Sequence, residues 1–311
     1  MPTPLTIRIG TRGSALARWQ AEWVAGQLRE KAAVDVQLVT ISTAGDRQRQ
    51  GPIGSIGTQG VFTKEIQGAL LDHRVDVAVH SLKDLPTDPV EGLTLAAVPP
   101  RESPRDVLVC RENQKLDDLP PASIMGTGSP RRRAQLLNLR ADFRVVDVRG
   151  NVETRLRKLD EGEFDALVLA KAGLLRLQHE DRITQELAPE LFLSAIGQWA
   201  LGIEIRRDDT TTQDAVRQLD DPATHRAVAA ERSLLARLRG GCLAPVAALA
   251  EPSGDGKLFL RAVVLDIDGT HRVDAAAEAP VERAVQLGCD VANELLEQGA
   301  AQLIAAAREV D

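Results

Sequence analysis

Arginine is the residue whose distribution suggests chemistry. Between Gly126 and Lys158 the chain carries nine basic residues (Arg131, Arg132, Arg133, Arg140, Arg144, Arg149, Arg155, Arg157 and Lys158) against the acids Asp142, Asp147 and Glu153. That window is +6, which leaves −13 for the rest of a chain whose total is −7. A basic island in an acidic protein reads as a local anion site, although an arginine run is more commonly a solvated helix face. Guanidinium groups grip carboxylate or phosphate through paired N–H donors. A second candidate is Cys242, directly after Gly240-Gly241 at an expected helix end. Most free cysteines are small buried hydrophobes, but a thiol on exposed, pliable backbone can reach a ligand and bond to it. A third is the run His80-Ser81-Leu82-Lys83-Asp84, which brings a carboxylate among cations. His80, beside a buried strand, reads as a hydrogen-bonded structural imidazole rather than a base.

These residues need elements to position them. Ile7-Arg8-Ile9 reads as a strand, Gly10-Thr11-Arg12-Gly13-Ser14 as a turn, and an amphipathic helix follows to about Arg29. Val34 to Ile41 reads as a second strand, and the polar, Gly-rich stretch from Ser42 to Gly60 is long for a loop. Phe62 to Leu71 has helical spacing, and Val75 to Val79 is a short apolar strand. Pro99-Pro100-Arg101-Glu102-Ser103-Pro104 marks a domain boundary. The pattern then restarts: strand Ser123 to Met125, turn Gly126 to Ser129, and a helix with Ser129 as N-cap and Pro130 at its first position. Phe143 to Val148 and Ala166 to Ala170 are further strands, separated by a helix from Val152. Alternating strands and helices predict two α/β domains with parallel sheets and helices on both sheet faces. Past Asp220 the texture changes to a helix (Thr224 to Leu238), alternating strands and a last helical region, a smaller α+β domain. The boundaries expected are 1–99 with 200–219, 100–199, and 220–311.

In open α/β sheets ligands bind at the carboxyl ends of strands. Arg12 and Ser14, Asp46, Lys83 and Asp84, Thr127, Ser129, Arg131 and Arg132, and Arg149 all fall there, with Arg155 one turn beyond Asn151 and Arg176 past Ala170. So many guanidinium groups in one cleft predict a polyanionic small molecule.

Composition narrows the classes. At 43% hydrophobic and 27% charged, 311 residues make two or three domains with adequate cores. Three Trp, five Phe and no Tyr leave few rings for base stacking, and the acidic remainder argues against general nucleic-acid binding. Neither glycine turn is a dinucleotide or Walker motif. Cys110, Cys242 and Cys289 are far apart and in no CxxC pair, which speaks against a structural zinc or a disulfide framework and for a reducing cytoplasm. Cys110 and Cys289 are expected to be structural. The first residues lack an apolar signal-like segment, and no apolar run approaches the ~18 residues of a membrane span.

Taken together, the motifs resemble the porphobilinogen deaminase (hydroxymethylbilane synthase) family. They are Thr11-Arg12-x-Ser14-x-Leu16-Ala17-x-x-Gln20, Gly60-Val61-Phe62-Thr63-Lys64-Glu65, His80-Ser81-Leu82-Lys83-Asp84 and Gly126-Thr127-x-Ser129-x-Arg131-Arg132. Arg149-Gly150-Asn151-Val152-x-Thr154-Arg155-Leu156, Ala172-Gly173-Leu174, Ile196-Gly197-Gln198 and Gly240-Gly241-Cys242 follow in family order and spacing. The resemblance implies two doubly wound α/β domains of the periplasmic-binding-protein type plus a smaller α+β third domain. It also implies a cytoplasmic monomer acting on porphobilinogen and the growing oligopyrrole. The primer would be a dipyrromethane cofactor tethered by a thioether to Cys242. By the same resemblance Asp84 is catalytic. Lys83, Thr127, Ser129, Arg131 and Arg132 would bind the cofactor, and Arg12, Ser14, Arg149, Arg155, Arg176 and Gln198 the substrate. No metal is implied.

Some positions depart from the family pattern. Ser55 and Gln59 stand where lysine is common, and Trp199 replaces a residue that is usually Gly, so a bulky ring is expected to crowd a hinge. Gly128, Pro130 and Leu82 read as benign replacements. Two other classes fit parts of the pattern: a non-catalytic anion-binding or sensor protein of the same twin-lobed type, and an RNA-binding protein using Arg131-Arg132-Arg133. The first needs neither Asp84 nor a cleft-facing thiol; the second requires affinity that falls steeply with salt.

Overall fold

The computed structural model describes residues 5–43, 63–241 and 244–309. Cys242, Asp46, Ser55, Gln59 and the Gly60-Val61-Phe62 segment therefore lie outside the described residues. Along the chain run β1 (Thr6–Thr11), α1 (Ala15–Ala32), β2 (Asp35–Thr40), α2 (Lys64–Leu71), β3 (Val77–Ser81), β4 (Leu93–Ala97) and β5 (Asp106–Cys110). Next come β6 (Ile124–Gly126), α3 (Pro130–Leu139), β7 (Arg144–Val146), α4 (Val152–Asp160), β8 (Ala166–Ala170), α5 (Lys171–Arg176) and β9 (Gln185–Glu186). The rest is β10 (Leu201–Arg206), α6 (Thr210–Arg217), α7 (Pro222–Leu238), β11 (Val246–Gly254), β12 (Lys257–Leu265), β13 (Arg272–Pro280), α8 (Ala284–Glu297) and α9 (Ala300–Glu309).

Local chemistry explains where several of these begin. The Ser14 hydroxyl accepts the Ala17 N–H at the start of α1, Ser129 accepts the Arg132 N–H at α3, and Asn151 accepts the Thr154 N–H at α4. Pro130 occupies the first turn of α3, where its missing N–H costs nothing. β3 starts at Val77 rather than Val75 and takes in His80 and Ser81, so both are strand residues.

The chain divides into two units, Met1–Glu102 with Trp199–Val228, and Ser103–Gln198 with Ala229–Asp311. The first holds a five-stranded sheet of order β2-β1-β3-β10-β4, in which β10 alone runs antiparallel to its neighbours. Its core packs α1 and α6 on one face (Val24, Leu28 and Val216 against Ile7, Ile9 and Ile203) and α2 on the other (Ile66 and Leu70 against Ala78). The second unit repeats the scheme as β7-β6-β8-β5-β9, with β5 as the antiparallel strand. Both sheets are thus mixed, a departure from the purely parallel pairing expected from the alternation. In each, the antiparallel strand is the one the chain enters immediately after passing from one unit to the other. The second unit also contains the antiparallel meander β11-β12-β13, against which α8 packs.

An ion-pair cluster fastens the first sheet. Arg8 donates to both Asp76 oxygens (2.9 and 2.8 Å), and Arg206 donates to Asp76 (3.1 Å), Asp209 (2.6 Å) and the Val75 carbonyl (2.6 Å). Burial alone would raise the Asp76 pKa, but the bonds from Arg8 and Arg206 outweigh it and hold it at about 2. A carboxylate held below its unfolded value stabilises the fold above pH ~4 and loses that contribution as pH falls toward 2. Asp76→Asn should therefore cost on the order of 2 kcal/mol at pH 7. Denaturation of parent and variant across pH checks this: the gap should close between pH ~4 and ~2, and a gap independent of pH would contradict it.

Candidate functional site

In the first unit, Arg12 follows β1 and Ser14 caps α1, while Lys83 and Asp84 lie in a single 3-10 turn, Leu82–Asp84, directly after β3. His80 is buried, its Nε2 3.1 Å from Glu204, whose carboxylate also accepts the Gln67 amide (3.1 and 3.2 Å). The imidazole is structural, as its place on β3 suggests. Asp84 is half-buried, and its carboxylate has no hydrogen-bond or ion-pair partner among the described residues. The Lys83 ammonium lies 5.9 Å from the centre of the Trp199 ring. Trp199 itself is buried at φ +71, a left-handed conformation that costs a bulky residue about 1–2 kcal/mol.

In the second unit the arginines converge on a residue the sequence reading did not single out. Asp106, at the first position of β5, is fully buried. Arg131 Nη2 and Arg132 Nη2 each donate to it at 2.7 Å, and the Gln198 amide donates at 3.1 Å. Arg131 also donates to the Leu193 carbonyl (2.5 Å), Arg132 to the Val168 carbonyl (3.1 Å), and Gln198 to the Pro104 carbonyl (2.6 Å). Burial by itself would raise the Asp106 pKa, but the charges of Arg131 and Arg132 outweigh it and hold the carboxyl below its ordinary value. Arg131, Arg132 and Gln198 are thus brought together, each with part of its hydrogen-bonding capacity engaged inside the protein. The signal that could have revealed Asp106 is an acid opening the otherwise apolar run Val107-Leu108-Val109, which needs a buried counter-charge.

What is left over is informative. Arg131 Nε and Arg132 Nε are buried and lack hydrogen-bond partners among the described residues, as does Gln198 Oε1. Arg155 Nε donates to the Gly150 carbonyl (2.9 Å), and its pKa is lowered to about 10, first by burial and then by the charge of Arg132, with Asp147 opposing. Asp147 is also bonded by Arg149 (3.1 Å). Thr127 Oγ1 accepts the Ser129 N–H (3.2 Å), and Arg176 is buried at the end of α5. The turn between β6 and α3 tolerates no side chain at Gly128, where a Cβ would lie 2.7 Å from the Val148 carbonyl. Gly128 is a fitted position rather than an indifferent replacement. The second unit therefore presents a surplus of guanidinium beside capped helix starts, an arrangement that binds carboxylates. Among the described residues no group of His, Cys, Asp and Glu could hold a metal ion, and no helix is long and apolar enough to cross a membrane.

Residues 7–214 match the family domain described as porphobilinogen deaminase, dipyromethane cofactor binding domain, and residues 225–297 match the porphobilinogen deaminase C-terminal domain. The chain is 48% identical over 301 residues to a porphobilinogen deaminase of Desulforudis audaxviator, covering 96% of this chain and 97% of that one. It is 46% identical to one from Geobacter metallireducens, covering 97% and 95%. Among solved structures it resembles a periplasmic substrate-binding protein of an ABC transporter from Coxiella burnetii, at 15% identity and a TM-score of 0.43, over 73% of this chain and 96% of that one.

Removing the acid from the Asp106 cluster should strand two buried guanidinium groups. Asp106→Asn is expected to destabilise the protein by about 3–5 kcal/mol, the usual effect of breaking a buried ion pair from one side. Denaturant unfolding of the variant measures it; a loss below ~1 kcal/mol would mean that water reaches the cluster.

Proposed function

The chain belongs to the porphobilinogen deaminase family, and from that premise we propose how its own residues carry the reaction. The protein is a transferase, a hydroxymethylbilane synthase of tetrapyrrole and haem biosynthesis. In each of four condensations the aminomethyl C–N bond of porphobilinogen breaks and ammonia leaves. A C–C bond forms from the resulting methylene to the free α-carbon of the growing chain, and that carbon gives up its proton. Addition of water then releases the linear hydroxymethylbilane.

Every porphobilinogen ring brings an acetate and a propionate, so substrate and chain are polyanions. The observation that carries the binding assignment is the surplus of guanidinium in the second unit, with Arg131 Nε and Arg132 Nε still without partners among the described residues. These donors fit a dipyrromethane, whose two rings carry four carboxylates. When bound, that group supplies the α-carbon from which the chain grows. Arg131 and Arg132 would hold its carboxylates with Lys83 and Thr127. Ser129, whose hydroxyl oxygen accepts a helix N–H, has its proton to donate. Arg155, whose charge is disfavoured by burial and by Arg132, gains from any carboxylate placed beside it. With Arg12, Ser14, Arg149, Arg176 and Gln198 it would hold the carboxylates of substrate and chain. Cys242 is the tether.

Asp84 is the catalytic acid/base in this reading. What supports it is that buried or half-buried acids such as Asp76, Asp106, Glu204 and Glu231 are committed to cations or amides, whereas Asp84 has no such partner among the described residues. Its carboxylate accepts the pyrrole N–H, stabilises the cation that develops as ammonia departs, and takes up the proton from the attacked carbon. The protein works as a monomer in the reducing cytoplasm, a setting supported by the unbridged thiols of Cys110 and Cys289.

Intact mass with peptide mapping tests the tether: an increment of two linked pyrroles on the peptide containing Cys242 is expected. A Cys242 still bare after incubation with porphobilinogen would refute the attachment. Asp84→Ala should keep the parental thermal midpoint while turnover falls about 10²–10³-fold, the usual cost of one electrostatic stabiliser. Near-normal turnover would remove Asp84 from the mechanism.

A further inference from the structure

Helix α3 is gripped from a side that the reaction does not explain. The turn joining β12 to β13 is built by Asp266, whose carboxylate accepts from the Thr270 N–H (2.8 Å), the Thr270 hydroxyl (2.6 Å) and the His271 N–H (3.2 Å). That turn presses Gly269 onto the backbone of α3. A Cβ at Gly269 would lie 2.4 Å from the Ala134 carbonyl oxygen and 2.5 Å from the Asn138 nitrogen, the two ends of one helical hydrogen bond. Gly269 also sits at φ +70, and its carbonyl accepts the Asn138 side-chain amide at 2.8 Å. Arg272 in turn donates to the side-chain amide oxygen of Asn138, Oδ1 (3.3 Å). Ala134, on the same helix, is wholly buried against Val263 and Leu265 of β12.

We infer that Gly269, through this turn, is a positioning residue: it sets where α3 lies, and hence where Arg131, Arg132 and the Ser129 cap meet the cofactor carboxylates. The inference rests on the reading of Arg131 and Arg132 as cofactor ligands. The physical basis is that backbone against backbone cannot yield as a flexible side chain can. A methyl group at 269 has to separate turn and helix by roughly half an ångström or more, since real Cβ atoms essentially never come within 3.0 Å of such neighbours. Shifts of about 1 Å in residues that orient a reacting group can lower rates ~10²-fold.

The same sheet provides a matched control. Gly256, in the turn between β11 and β12, has φ +69, and a Cβ there would meet nothing within 4 Å. Gly256→Ala imposes the same backbone strain without the contact. Cofactor-free parent, Gly269→Ala and Gly256→Ala would be incubated with porphobilinogen, and the rate at which each gains the two-pyrrole mass on Cys242 followed, alongside thermal midpoints. Gly269→Ala is expected to load about tenfold more slowly or worse, with Gly256→Ala within about twofold of the parent. Loading of Gly269→Ala at the parental rate, even with a lowered thermal midpoint, would overturn the proposal by making the contact purely structural. If Gly269→Ala does not fold, Asn138→Ala, which removes the tether and leaves both backbones unchanged, decides by the same readout. Slow loading supports the positioning role, and parental loading ends it. A parent that never acquires the mass would refute the cofactor reading itself, and the positioning role would fall with it.

Discussion

One fully buried carboxylate, Asp106, governs how the second unit is assembled. A lone ion in a protein interior is costly, and here the cost is offset by two guanidinium groups at 2.7 Å and an amide at 3.1 Å. Those three donors arrive from α3 and from the segment preceding β10, and they also bind the carbonyls of Pro104, Val168 and Leu193. A single acid thereby fixes the start of β5, the first turn of α3 and the middle of β8 in one hydrogen-bonded set. Arg131 and Arg132 do two jobs at once, neutralising Asp106 with their outer nitrogens while their inner N–H donors stay uncommitted among the described residues. A rigid internal anchor is what an anion site needs, because a pre-oriented fork loses little freedom when a carboxylate arrives.

What the sequence made legible was whatever depends on near neighbours. Ser129 and Pro130 announce α3, Asn151 announces α4, and an apolar run announces β8, because caps and strand patterns act over a few residues. The candidate site was legible through the same glycine turns and through motifs in family order. The Asp106 cluster was not, since its partners lie 25, 26 and 92 residues away along the chain. Nor was the antiparallel sense of β5 and β10, which follows from chain passage between units rather than from any local pattern. Arg131 and Arg132 show why residue type alone misleads: an arginine assigned to a ligand can be partly engaged by the protein's own interior. Trp199 was expected as a crowding ring at a glycine position, and the structure shows the conformational reason a glycine suits that place, a φ of +71.

The two large sheets share one order and one set of strand senses, yet they are closed differently. In the second unit the strands β5 to β9 lie within residues 106–186, so that sheet is complete in a single stretch of chain. In the first unit β10, at Leu201–Arg206, stands between β3 and β4 and is the strand through which β4 joins the sheet.

That placement sets a timetable for synthesis. When β4 leaves the ribosome its only bonding neighbour in the sheet has yet to be made, and at ~5–20 residues per second the wait is roughly 5–20 s. Throughout that interval β3 offers an open edge, the kind of surface on which nascent chains pair wrongly. The lobe encoded later can finish its sheet first, and the lobe encoded first closes only on the chain's return. Interrupted translation between residues 110 and 200 would release the first sheet without its interior antiparallel strand, a fragment suited to chaperones and proteases rather than to catalysis.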